Sequence, residues 1–226
     1  NLLTLFGHLI FPIRPLQDNL AQCYQQLARY LDAKANLFDP DIEEETDKPL
    51  IDVAMANSQL VATLNQTKSS LLTRLRGDRG QRGTRQTLHY YFVAQDIHER
   101  ASSSHVYYPQ LREKLRYSDV LFRFQRLLSR QAKACQQLSQ SILLHQKYQH
   151  DGRIERAFVH LESAIARIAA NNMADAAQIK ALTYLLNNLR AIDAQLATIE
   201  SEQTIEQENN PENTLADDKI TGWSDI

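Results

Sequence analysis

Long apolar runs are missing from this 226-residue chain. A helix that crosses a bilayer needs about 18 or more consecutive apolar residues. None occurs, so the sequence as it stands holds no complete membrane span. Cysteine is scarce too, with Cys23 and Cys135 the only two, each inside a helical pattern. They read as buried thiols in a reducing compartment rather than as a disulfide framework or a metal pair. Only six glycines and six prolines interrupt the chain, which leaves room for long helices. A net charge of −2 excludes a surface given over to gripping nucleic acid. Strand-like alternation of apolar and polar residues is absent throughout.

What is present is helical periodicity. Apolar residues recur at helical spacing over six segments, about Pro15–Phe38, Pro49–Arg76, Thr84–Ser102, Pro109–Gln149, Arg153–Asn171 and Ala174–Ile199. The first carries Leu16, Leu20, Tyr24, Leu27 and Leu31 along one side, and the second Leu50, Val53, Leu60, Leu64, Leu71 and Leu75. An acidic breaker from Asp39 to Asp47 separates these two, and Asn171-Asn172 and Asp151-Gly152 mark further ends. The expected fold is all-α, a bundle of about six mostly long antiparallel helices. From residue 200 to 226 the chain turns acidic and poor in apolar anchors, which predicts a flexible linker.

Two clusters could carry chemistry. Arg74, Arg76, Arg79, Arg82 and Arg85 crowd around a glycine-rich turn with only Asp78 opposing them. Guanidinium forks beside freed backbone amides suit phosphate, so anionic lipid headgroups or a nucleotide are candidate ligands, and a solvated loop is the plain alternative. The spacing is neither a P-loop nor a dinucleotide fingerprint. The second cluster is Gln95-Asp96-Ile97-His98-Glu99-Arg100-Ala101-Ser102-Ser103-Ser104-His105. On a helix Gln95, His98, Glu99 and Ser102 share a face, and Asp96 pairs with Arg100 at i,i+4. His98 and His105 stand seven apart, so no zinc-protease pattern forms, and no nucleophile elbow is present. The run reads best as a polar network pinning its helix to the next one, with Asp119 as a partner for Arg100, and contact with a ligand or partner is the alternative. No catalytic residue, metal ligand or cofactor is expected. Arg123, Arg126 and Arg130 repeat at i, i+3 and i+7 as a basic stripe, and His145, His150 and His160 lack ligand spacing.

The run AQDIHERASSSH followed by SDVLFRFQRLL resembles the YccS/YhfK-type inner-membrane proteins of the fusaric-acid-resistance-like (FUSC) transporter family. The resemblance extends from Leu9-Ile10-Phe11-Pro12 to about Leu138 and is weaker in the last two helices. It implies a helical cytoplasmic domain, residues 15–199, set between two membrane bundles. Residues 1–14, uncharged and mostly apolar as far as Phe11, are then the tail of a preceding membrane helix. The acidic stretch ending near Trp223 would lead into the second bundle. The implied role is assembly, regulation or partner binding in a transporter that exports aromatic or other organic acids, with the chain's own membrane bundles and a second copy of itself as partners. The alternative is a helical anion- or nucleotide-binding module gripping its ligand through the arginine loop.

Overall fold

The first helix carries apolar residues on more than one side, and a helix of that kind belongs in the middle of a bundle. The computed structural model, which describes residues 14–42, 47–77, 84–103 and 106–208, places it there. Helix α1 (Arg14–Asn36) packs along α5 (Val120–Leu144), α2 (Lys48–Gly77) and α3 (Thr84–Ser102). Tyr24, Leu27 and Leu31 are fully enclosed, and so are Cys23 on one side and Ala28 on another. Helix α7 (Ala176–Glu208) lies against α3, and α6 (Ile154–Ala170) bridges α5 and α7. A short α4 (Tyr108–Leu115) completes seven helices, and the described residues include no strand.

Side-chain pairs fix the helix directions. Asn19 near the start of α1 donates to Ser70 near the end of α2 at 3.0 Å, so those two helices are antiparallel. Ser139 late in α5 donates to the Ala21 carbonyl at 2.7 Å, while Phe38 stacks on Phe124 at 5.3 Å, so α5 also runs against α1. Tyr24 donates to the Tyr90 carbonyl and Tyr30 meets Ser102, which makes α3 parallel to α1. His89 meets Thr198 and Gln203 donates to Tyr90, so α7 returns against α3. Arg167 late in α6 lies 3.9 Å from Asp119 at the start of α5, so α6 runs against α5 and the six long helices alternate up and down.

Three boundaries differ from the reading of the sequence. The long fourth helix is two, because the chain turns at residues 116–119, where Ser118 gives both its amide and its hydroxyl to the Leu115 carbonyl at 2.9 Å. That second piece stops at Leu144 instead of Gln149, with His145 in the left-handed region at φ 53°. The last helix continues to Glu208 instead of Ile199, and the rest of the acidic stretch, 209–226, lies outside the described residues. Asn172, at φ 52°, ends α6 as expected, since asparagine tolerates that conformation. Leu50 and Leu75, expected on the buried stripe of α2, lie exposed, while Leu60, Leu64 and Leu71 are buried.

Candidate functional site

The polar run on α3 closes on itself and on three neighbouring helices. Arg100 donates to Asp96 at 2.7 Å, the expected i,i+4 pair, and Gln95 donates to Glu99 at 3.2 Å. His98 Nε2 meets Asn57 of α2 at 2.8 Å, and its ring packs 5.8 Å from Tyr30 of α1. Ser102 shares a hydrogen bond with the Tyr30 hydroxyl at 3.2 Å, and Asn188 of α7 reaches Ser103. The described part of the run thus pins α3 to α1, α2 and α7. Asp119 does not reach Arg100. It holds Arg123 at 2.7 Å and lies 3.9 Å from Arg167, which keeps its carboxyl below the usual range through the Arg123 hydrogen bond. Residues 104 and 105, including His105, lie outside the described residues.

Beneath this run sits Lys34, which the sequence reading did not single out. It falls at i+3 from Leu31 on the enclosed side of α1 and is 6 % exposed. Its ammonium donates to the Ala101 carbonyl and lies 5.7 Å from the Tyr30 ring centre. Burial lowers its pKa from 10.5 to about 8. The same desolvation, reinforced by the Lys34 charge, lowers His98, while Glu99 pulls the other way. A lysine on an apolar stripe is the signal that could have revealed it. Among the described residues no group of three or more His, Cys, Asp or Glu converges to hold a metal.

The arginine cluster lies at one end of the bundle. Arg74 and Arg76 occupy the last turn of α2, where cations complement the helix dipole. Arg85 opens α3 and lies 3.5 Å from Glu202 of α7. Arg74 has its Nε and Nη1 buried without a hydrogen-bond partner among the described residues. Arg79 and Arg82 fall outside the described residues. The pairs Asn19–Ser70, Arg85–Glu202 and Gln203–Tyr90 bring the start of α1, the end of α2, the start of α3 and the end of α7 together at this end.

A third feature emerges only in three dimensions. A groove of about 820 Å³ runs between α5 and α6, closed at its back by residues 148–153 and by Asp193 of α7. Six cations line it, Arg123, Arg126, Arg130, Lys133, Arg153 and Arg156, against the carboxylates of Asp151 and Asp193. Arg153 is held by Asp151 through two bonds of 2.8 and 3.0 Å, and Arg123 by Asp119. At the back wall the His150 ring bridges Asp193 at 3.2 Å and the Tyr148 hydroxyl at 3.1 Å. The Asp193 hydrogen bond raises His150, and burial raises Tyr148. His150 is thus a built-in partner of α7. The basic stripe on α5 was visible in the sequence, but its completion by α6 was not.

A family model described as FUSC-like inner membrane protein yccS matches residues 1–196. The chain belongs to that family. The match takes in α6 and most of α7, farther than the sequence motifs alone reach. Inner membrane protein YccS of Escherichia coli (strain K12) is 68 % identical over 227 residues, covering 100 % of this chain and 32 % of that protein. An uncharacterized protein of Haemophilus influenzae is 35 % identical over 226 residues, covering 100 % of this chain and 31 % of its own length. The chain therefore spans about a third of the curated relatives it matches. No solved structure matches it. The family is one of inner-membrane, transporter-type proteins rather than of enzymes. No helix among the described residues is long and apolar enough to cross a membrane.

Proposed function

We propose that this chain is the cytoplasmic helical domain of a FUSC-like inner-membrane transporter, joined to membrane bundles on both sides and serving their assembly or gating. The observation that carries this reading is the shared end of the bundle. Residue 14 enters and residue 208 leaves the described structure at the end where Arg74, Arg76 and Arg85 cluster. A domain connected twice to one membrane needs both connections on its membrane side, and basic residues there suit anionic headgroups. Each basic residue near such a surface contributes about 1 kcal/mol. A membrane-side position for this end makes the opposite end the part that projects into the cytoplasm. Export of organic acids is the transport role this reading favours, and a homo-oligomer of the whole protein is its expected form.

The topology is tested with a single added thiol. Ser58 is exposed on α2, and Cys23 and Cys135 are buried, with burial pushing Cys23 up to about 11 and Cys135 higher still. Both native thiols are therefore poor nucleophiles. In the full-length protein, with other accessible cysteines replaced, Ser58→Cys is expected to react with a membrane-impermeant maleimide in inverted inner-membrane vesicles only. Labelling in right-side-out vesicles would overturn the cytoplasmic assignment.

A further inference from the structure

The groove between α5 and α6 holds more positive charge than the protein itself satisfies. Arg126, Arg130 and Lys133 project from successive turns of α5, and Arg156 faces them from the first turns of α6. None of these four has a salt bridge or hydrogen bond to a carboxylate among the described residues. Arg130 is half-buried, so it gives up hydration without gaining a fixed partner. The floor is apolar: Leu127 and Ile154 are buried beneath the cations. Charge above a low-dielectric floor acts more strongly than charge on an open surface.

We propose that this groove binds a multiply charged phosphate-bearing anion. The volume lies within the range of small-molecule sites, about 300–1,000 Å³. From Arg126 to Lys133 the helix advances about 10 Å, so the cations reach along a ligand rather than around one point. A single carboxylate engages one guanidinium fork, and it leaves the other cations repelling each other. Two or more linked phosphates engage Arg126, Arg130 and Arg156 together, each fork contributing paired hydrogen bonds. Of the two carboxylates at the groove, Asp151 pairs with Arg153, and Asp193 meets His150 through one oxygen while its other oxygen lies buried, so the four cations Arg126, Arg130, Lys133 and Arg156 outnumber them. This site lies on the flank of the bundle, apart from the arginines of α2 and α3 at its end, and it does not depend on their facing a membrane.

The test is calorimetric titration of the full chain with tripolyphosphate at low salt, comparing wild type with Arg126→Gln/Arg130→Gln and with Arg74→Gln/Arg76→Gln. The expected result is one saturable equivalent for wild type and a loss of at least about tenfold in affinity for the groove variant only. Thermal melting of the groove variant is expected to match or exceed wild type, which separates lost binding from lost folding. Benzoate, a single carboxylate, is expected to bind far more weakly. Phosphatidylglycerol vesicles distinguish the source of the phosphate. Vesicle binding lost in the groove variant assigns a lipid headgroup, and vesicle binding unaffected by it assigns a soluble phosphate ester. No saturable tripolyphosphate binding, equal losses in both variants, or benzoate binding as tightly would overturn the proposal.

Discussion

In the polar run of α3 each described charged or imidazole group has a partner inside the molecule: Asp96 with Arg100, His98 with Asn57, Glu99 with Gln95. Along the α5/α6 groove, Arg126, Arg130, Lys133 and Arg156 have no carboxylate partner among the described residues. The two regions use similar side chains, but one spends them on joining four helices and the other leaves them facing solvent. The density of a motif in sequence is therefore a poor guide to where a ligand binds. Internal satisfaction is the better one, because a satisfied network has little left to offer.

Variants that break the contrast fall in a definite order. Tyr30→Ala removes the ring that packs on His98, the hydroxyl that meets Ser102 and the face beneath Lys34. It is expected to cost roughly 3–5 kcal/mol in denaturant unfolding, the range for deleting a buried aromatic. His98→Ala leaves Asn57 without its partner and is expected to cost about 1–2 kcal/mol.

The two histidines sharpen the comparison through pH. Burial holds His98 below the ordinary value of 6.5, so its contribution is fully present above 6.5 and is lost as pH falls through the lowered folded value. The Asp193 hydrogen bond holds His150 above 6.5, so its contribution is fully present below 6.5 and is lost as pH rises through the raised folded value. The penalty of His98→Ala is expected to be larger at about pH 7.5 than at about pH 5, and that of His150→Gln larger at about pH 5.5 than at about pH 8.5. Chemical denaturation at each pH checks the opposite slopes. The smallest effect is expected for Arg126→Gln/Arg130→Gln, which should change stability by less than about 0.5 kcal/mol, because cations without a fixed carboxylate partner hold little of the fold together.

Much of the fold was legible because helical periodicity is a local property. The stripes through Leu20, Tyr24 and Leu27 and through Leu60 and Leu64 are buried as predicted. The Asp96–Arg100 pair was legible for the same reason, being set by spacing on one helix. The break at Ser118 was harder to read, since Tyr117 and Ser118 sit inside a continuing apolar pattern and no proline or glycine marks the turn. The end of α5 at His145 was hidden likewise, because a histidine holds the left-handed position that glycine usually takes. The partners of His98 and Lys34 come from helices distant in sequence, and no local pattern encodes them. The groove needs α5, α6 and Asp193 of α7 at once, so the sequence showed its arginine stripe on α5 and nothing that faced it.

Hydrogen–deuterium exchange of the full chain with and without tripolyphosphate bears most directly on the claim that the two regions differ in kind. Protection is expected over residues 123–133 and 148–160, with exchange at residues 95–103 unchanged. Protection at residues 95–103 with none along the groove would contradict the account, placing the ligand on the network described here as satisfied.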